Sequence, residues 1–254
     1  MIKINDYDNF AAKRQEGLVN GTIFSHRFVE KPAMKKLLRN LSGNKVLMLG
    51  CGTGDESKLL EEFGASDMHG VDLSSESIML AKGAYPKHEF LVGDMHHLQF
   101  DDEFFDFIYS SLTVHYSADP LSVYKEIFRV LKPGGSFQFS VGHPVRWASE
   151  SIEIDGLGMK ILGFSGNYDE KPRLYGNYSE FKKYDQVFPS GEVLSFWVGS
   201  PSMHYNLLKA AGFIVKEFIE TKAVEECKDV APFYYERFSR FPQFMIFVAE
   251  KPKI

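Results

Sequence analysis

Between Lys45 and Pro144 the chain alternates short apolar runs with stretches whose apolar residues recur at helical spacing. The strand-like runs are Lys45–Leu49, Asp67–Asp72, Glu89–Leu91, Phe105–Tyr109 and Ser136–Val141, with helical patterns between them at about 55–63, 75–83 and 119–131. Strands that alternate with helices are joined by right-handed crossovers, so this part predicts a mostly parallel α/β sheet with helices on both faces. Residues 5–40 read as a helical lead-in: Pro32 suits the first turn of a helix, and Met34, Leu37, Leu38 and Leu41 follow at helical spacing.

After His143-Pro144 the pattern changes. Residues 145–198 are rich in glycine, tyrosine, phenylalanine and turn formers and have no helical period, which predicts a cap inserted after strand five. Helical spacing returns from Ser200 to Gly212, and two strand-like runs follow, Phe213–Ile219 and Gln243–Ala249. No long helix fits between these two, so they are expected to pair antiparallel and to complete a seven-stranded sheet. The expected organisation is a lead-in over 1–40, a ligand-binding core over 41–144, a cap over 145–198 and a C-terminal completion of the sheet over 199–254.

With 254 residues, 44% hydrophobic and 25% charged, the chain has the make-up of one generous globular domain with an addition. A formal net charge of -5 argues against nucleic acid as the default partner. Two cysteines, Cys51 and Cys227, are too few for a disulfide framework, which makes a reducing cytoplasm the expected location. The first residues have no apolar signal core, and no run approaches the roughly 18 apolar residues of a membrane span, so neither export nor insertion is expected.

The chemistry begins where the first strand ends. Val46-Leu-Met-Leu-Gly-Cys-Gly-Thr-Gly54 places Gly50, Gly52 and Gly54 between that strand and a helix start. A turn that bare lets backbone N–H groups approach a ligand at the positive end of a helix dipole. A dinucleotide pyrophosphate, a nucleotide phosphate and the aminocarboxypropyl tail of S-adenosylmethionine are the candidates. Asp55-Glu56, directly after the loop, would repel a pyrophosphate, and no Lys-Ser/Thr pair follows to make a phosphate loop. Asp72 ends the run Met68-His-Gly-Val-Asp72, where a carboxylate can accept ribose hydroxyls. Gly93-Asp94-Met95 follows the next run, with Asp94 placed for an adenine amino group and Met95 to cover the ring. All three stand at carboxyl ends of strands, the edge at which open α/β sheets bind ligands.

On these residues the chain resembles class I S-adenosylmethionine-dependent methyltransferases with a methyltransferase-11 type domain. Val46–Gly54 resembles their motif I, Gly70-Val-Asp-Leu-Ser74 motif II, Gly93-Asp-Met95 the adenine motif and Phe105-Asp-Phe-Ile-Tyr-Ser-Ser111 motif IV, while Arg129-Val-Leu-Lys-Pro-Gly-Gly-Ser136 is similar to their lead into strand five. Phe28-Val-Glu-Lys-Pro-Ala-Met34 is similar to the helix before the core in one branch. The likeness is strong over about 40–144 and loose over 200–250. It implies a Rossmann-like fold and S-adenosylmethionine as cofactor, with Gly50, Cys51, Gly52 and Gly54 at its amino-acid tail, Asp72 and Leu73 at the ribose, Asp94 and Met95 at the adenine, and Ser110 among the cofactor-binding residues. In one place the chain departs from the pattern: the family usually carries an acid where Met48 stands.

Methyl transfer is an in-line displacement, so the protein must align acceptor, methyl and sulfur, exclude water, and remove a proton where the acceptor carries one. The ends of strands four and five draw attention to His143 and His115. His143, in Ser140-Val-Gly-His-Pro144, is the first candidate for a base or an acceptor anchor, since an unperturbed imidazole titrates near 6.5; equally, a histidine before proline is often only a cap. His115 is the second candidate, either catalytic or closing the pocket floor. His96-His97 read as solvated loop histidines and not as a metal site, Asp101-Asp102-Glu103 as a solvated turn, and Cys51 as a packing residue. The cap aromatics Phe164, Tyr168, Tyr175, Tyr178, Phe181, Tyr184, Phe188, Phe196 and Trp197 either line an apolar acceptor pocket or fill the core of the cap. Tyr7, Phe10 and His26 either fold over the cofactor or dock the lead-in. The expected activity is methyl transfer to O or N of a small molecule, aromatic or apolar in character. An NAD-dependent oxidoreductase, a non-catalytic S-adenosylmethionine-binding protein and a tRNA or protein methyltransferase remain the alternatives.

Overall fold

The computed structural model of the chain describes residues 24–166, 172–187 and 193–253. Expectations that fall on Tyr7, Phe10, Tyr168 and Phe188 lie outside the described residues. The core strands are β1 (Lys45–Leu49), β2 (Asp67–Asp72), β3 (Glu89–Val92), β4 (Phe105–Ser111) and β5 (Leu131–Gly142). The cap strands are β6 (Glu150–Ile154), β7 (Leu157–Ile161), β8 (Gly163–Ser165), β9 (Arg173–Tyr175), β10 (Lys182–Val187) and β11 (Val193–Val198), and the chain ends through β12 (Ile214–Glu220) and β13 (Phe244–Glu250). Helices are α1 (Lys31–Leu37), α2 (Ser57–Glu62), α3 (Ser75–Ala84), α4 (Pro120–Val130), α5 (Pro144–Trp147), α6 (Pro201–Ala210), α7 (Glu226–Val230) and α8 (Pro232–Arg240).

The main sheet has the order β12-β13-β5-β4-β1-β2-β3. Strands β1 to β5 pair in parallel, and β13 runs antiparallel to both β5 and β12, which is the expected architecture. Burial on both faces explains why the core strands read as unbroken apolar runs. Along β1, Leu47 and Leu49 join one apolar layer while Val46 and Met48 join the other. In β5 the positions facing α1 are polar: Gln138 Nε2 donates to the Met34 carbonyl at 2.8 Å, and the Ser140 hydroxyl donates to Glu30 at 2.7 Å. The opposite positions, Phe137 and Phe139, stack at 4.5 Å, and Phe139 stacks again on Phe247 at 5.3 Å.

Helix α4 shows how local chemistry sets its bounds. Asp119 caps it by accepting from the Ser122 amide at 3.2 Å, Pro120 occupies the first turn, and Val123, Tyr124, Ile127 and Val130 form the buried stripe. The Tyr124 hydroxyl meets His204 Nδ1 at 2.6 Å, and burial holds His204 down at about 3 and therefore neutral.

Several boundaries differ from expectation, each for a local reason. The helix with Pro32 stops at Leu37; Leu38 turns to an extended conformation, and Leu41 reaches the core from a loop tied to the Phe63 carbonyl. One wider helical turn, His26–Glu30, precedes it. The helix expected over 55–63 contracts to Ser57–Glu62, because Gly54, at φ +82°, holds the residues before it in a turn. Strand β5 begins at Leu131, which pairs with Phe105 ahead of the two glycines.

The cap is built of antiparallel pairs, β6–β7, β8–β9 and β10–β11. Asp155 and Gly156, both with positive φ, make the β6–β7 turn. Of the cap aromatics, Phe196 is buried against Trp147 at 4.6 Å and Phe181 stacks on Trp197 at 5.1 Å, whereas Phe164 is 64% exposed and fills no core. Among the described residues no helix is long and apolar enough to cross a membrane.

The stacked phenylalanines are the centre of the larger apolar layer. Phe139→Ala is expected to destabilise the protein by ~3–5 kcal/mol in urea unfolding with an unchanged slope. A loss below about 1 kcal/mol would show that this layer is not the core.

Candidate functional site

The tips of β1, β2 and β3 lie side by side at one edge of the sheet. The three loop glycines serve different purposes. At Gly50, φ +67°, a Cβ would collide with the Thr113 side chain from the loop after β4, so this glycine is a packing requirement. At Gly54, φ +82°, a Cβ would crowd Tyr85, Ala81 and Phe90. At Gly52, φ +53°, nothing described lies within 4 Å of the Cβ position, so the backbone there borders open space.

The loop amides are aimed inward. Those of Gly50 and Cys51 donate to the Val71 carbonyl at 2.7 and 3.1 Å, and that of Gly54 donates to the Cys51 carbonyl at 2.9 Å. The Gly52 amide donates to Asp72 Oδ2 at 2.8 Å, and the Ser74 amide donates to Oδ1 at 2.9 Å. Asp72 therefore locks the β1 loop to the β2 tip. Leu73 beside it is 40% exposed. Burial and the neighbouring Asp72 charge push the Cys51 thiol well up, which makes it a poor nucleophile and a packing residue.

At the β3 tip, Asp94 Oδ1 accepts from the His96 amide at 2.9 Å and lies 2.6 Å from His96 Nδ1. Desolvation works against the charge on Asp94, but these bonds outweigh it and hold the carboxyl below its ordinary value. His96 Nε2 then meets the Ser117 hydroxyl at 2.8 Å. His96 is thus a bracket between the Asp94 loop and the turn after β4, not the solvated histidine expected; His97 is exposed. Met95 packs half-buried against the larger apolar layer.

Met48, where an acid was expected, is buried, and its sulfur accepts from the Ser57 hydroxyl at 3.6 Å. Acids reach this region from elsewhere. Glu30 is fully buried beneath the tips of β4 and β5: its Oε1 accepts from Ser111 Oγ at 2.9 Å and from Ser140 Oγ at 2.7 Å. Its Oε2 has no hydrogen-bond partner among the described residues, with His26 Nδ1 at 3.7 Å. Burial, followed by the Glu56 charge, raises Glu30 to about 7 against the opposing serine bonds and Lys31. Glu56 itself pairs with Lys31 at 3.3 Å. The hydroxyls of Tyr109 and Ser110, both fully buried on β4, lack hydrogen-bond partners among the described residues. Glu30 was missed in the sequence although Glu30, Met34 and Leu38 recur on the apolar face of the lead-in, and an acid on that face is a signal of burial.

His143 ends β5 and is 1% exposed. Its Nδ1 accepts from the Val145 amide at 3.2 Å, capping α5, so Nε2 carries the proton and donates to Glu220 at 2.8 Å. Burial lowers its pKa, with the Glu220 bond opposing. Both ring nitrogens are engaged within the protein. His115 lies half-buried in the turn Val114–Tyr116, 5.5 Å from the Phe196 ring of the cap. The structure thus gathers Gly50–Gly54, Asp72 and Asp94 at neighbouring tips, and places His143, His115, Ser110 and Glu30 at the tips of β4 and β5.

A sheet of this order with an acid-locked glycine loop defines a Rossmann-like adenosyl-cofactor fold. The profile of a family described as "Methyltransferase domain" matches residues 47–139. A demethylmenaquinone methyltransferase of Lactococcus lactis is 30% identical over 192 residues, covering 72% of this chain and 71% of that protein. An uncharacterized protein of Haemophilus influenzae is 34% identical over 152 residues, 57% of this chain, and the chain spans only 59% of that relative's length. In fold, a crystal structure of an S-adenosylmethionine-dependent methyltransferase from Mesorhizobium loti superposes with a TM-score of 0.68 at 24% identity, covering 87% of this chain and 97% of that one. The chain belongs to the S-adenosylmethionine-dependent methyltransferases. The residues present suit that cofactor: open space at Gly52 and a carboxylate at the β2 tip.

Glu30 gives the site a measurable pH signature. Its folded pKa lies above its value in the unfolded chain, so the native state holds a proton that the unfolded state releases, and this stabilisation is present below about 4.5 and lost as pH rises through about 7. Glu30→Gln, which keeps the serine contacts and cannot ionise, is expected to gain on the wild type by on the order of 3 kcal/mol between pH 5 and pH 8 in urea unfolding. Parallel pH profiles for the two proteins would show that Glu30 is not a buried titrating acid.

Proposed function

We propose that this methyltransferase transfers a methyl group to an O or N atom of a small-molecule acceptor. The observation that carries the reading is the Asp72 lock on the Gly52 amide, which brings the first two strand tips into one rigid cradle beside the Asp94 loop. S-adenosylmethionine, when bound, supplies an electrophilic methyl on a sulfonium sulfur. The backbone of Gly50, Cys51, Gly52 and Gly54 shapes the place for its amino-acid tail, Asp72 and Leu73 border the ribose, and Asp94 and Met95 border the adenine. Since the amides of Gly50, Cys51, Gly52 and Gly54 donate within the fold, the loop acts chiefly by leaving room. Ser110 on β4 borders the same place, while Tyr109, next to it in the strand, points to the opposite face of the sheet.

At the acceptor edge, His143 acts as a positioning residue. Its two nitrogens hold α5 and Glu220, so it fixes the wall against which the acceptor rests. Glu30 is the better proton holder: its Oε2 lacks a hydrogen-bond partner among the described residues and its pKa, about 7, is matched to neutral conditions. His115 links this edge to the cap through Phe196. Support for a small acceptor comes from the relative named for demethylmenaquinone and from a net charge of -5, which does not favour a polyanion.

Titration calorimetry with S-adenosylhomocysteine is expected to show binding that Asp72→Ala weakens at least about tenfold, as loss of a charged hydrogen-bonding group does. In a radiolabelled methyl-transfer assay on fractionated bacterial extract, label is expected in the small-metabolite fraction. Label confined to tRNA or protein would overturn the choice of acceptor, and unchanged affinity in Asp72→Ala would overturn the cradle.

A further inference from the structure

Buried charge marks a second site, on the acceptor side of the sheet. A guanidinium out of water is costly unless an acid accompanies it. Arg129 follows that rule: it is partly buried and meets both Glu126 and Asp102 at 2.7 Å. Arg146 does not. It is half-buried on α5, its guanidinium lies 4.4 Å from the centre of the Trp147 ring, and among the described residues no carboxylate pairs with it. Scarcity of acids is no explanation in a chain with 34 of them against 29 lysines and arginines.

A second cation acts on Arg146 instead. Burial, followed by the charge of Arg237 on α8, lowers Arg146 to about 10, with the Tyr234 phenol opposing. Arg237 is also without a carboxylate among the described residues, whereas Arg240, one turn on, is paired with Glu236 at 2.8 Å. Two guanidinium groups that repel each other, with no carboxylate on either among the described residues, are unfavourable unless something negative enters.

Their place in the fold says what enters. Helix α5 leaves the tip of β5 through its cap, His143. Helix α8 packs through Phe238 onto Leu112, the residue directly after β4, and onto Val29 and Phe244. Both arginines therefore stand beyond the tips of β4 and β5, across the switch in strand order from the cofactor cradle at β1, β2 and β3. Trp147, Phe196 and Tyr184 continue from Arg146 as an aromatic wall.

We propose that Arg146, assisted at the rim by Arg237, binds an anionic group of the methyl acceptor, so that the acceptor class is a small molecule, flat and apolar in part, that carries a carboxylate or a phosphate. The planar fork of a guanidinium matches either group in two parallel bonds. This rests on the small-molecule reading above and adds the charge of the substrate.

The test uses the whole chain saturated with S-adenosylhomocysteine and titrated with benzoate, phenyl phosphate and benzamide. One or both anions are expected to bind at least tenfold more tightly than neutral benzamide, and whichever anion prevails identifies the group. Arg146→Met is expected to abolish that preference while leaving affinity for S-adenosylhomocysteine unchanged. Arg146→Lys, which keeps charge and loses the fork, is expected to retain only part of it. In thermal unfolding without ligand, Arg146→Met is expected to melt higher than the wild type, and benzoate or phenyl phosphate to raise the melting temperature of the wild type alone. Equal affinities for benzoate, phenyl phosphate and benzamide, or anion responses that survive in Arg146→Met, would overturn the proposal. Failure of S-adenosylhomocysteine to bind would instead strike the cofactor cradle, which is a separate result.

Discussion

One carboxylate holds the cofactor edge together. Asp72 accepts the Gly52 amide through one oxygen and the Ser74 amide through the other, so the loop after β1, the tip of β2 and the start of α3 become a single unit. Without that bond a loop with three glycines would have many conformations to lose on binding, and each ordered residue costs about 1–2 kcal/mol in backbone entropy. The lock removes that cost before any ligand arrives. It also explains why the loop is bare: once the amides are turned inward, the glycines serve to fit under Thr113 and beside Tyr85 and to leave space at Gly52.

Past the switch in strand order, the sheet carries charges that its core would not otherwise tolerate. Glu30 is buried under β4 and β5 with one oxygen satisfied by two serines and the other without a hydrogen bond among the described residues, and Arg146 is half-buried with no carboxylate paired to it among those residues. Leu112, between them in the chain order of tips, is held at φ +50°, a conformation that a leucine seldom adopts. Its amide is fixed by Ser140, the same serine that donates to Glu30, so the strained turn and the buried acid are parts of one network. Strain and uncompensated charge tend to collect where a protein acts, and here both lie on the side of the sheet assigned to the acceptor.

Much of this was legible in the sequence. The core strands could be read because burial on both faces makes them unbroken apolar runs, and β13 because it is an apolar run of its own; the two short helices between β12 and β13, α7 and α8, were not read. Asp72 and the glycines could be read because they stand at strand ends, where ligands bind. The direction of the loop amides could not be read, since it depends on the Val71 carbonyl across the sheet. His96 looked solvated because its partners, Asp94 and Ser117, come from two separate loops. His143 looked like a base because only the fold shows that Val145 and Glu220 occupy its ring. Glu30 and Arg146 share one lesson: a charge becomes informative only when its burial and the absence of a counter-charge are seen together.

The central claim is that three successive strand tips form a preset cradle for the adenosyl cofactor. A crystal structure of the protein soaked with S-adenosylhomocysteine tests it most directly. The account requires ribose density at Asp72, adenine beside Asp94 and Met95, the amino-acid tail in the space at Gly52, and the bond from the Gly52 amide to Asp72 intact. Density for the ligand elsewhere, or a loop that must open and break that bond to admit it, would contradict the account.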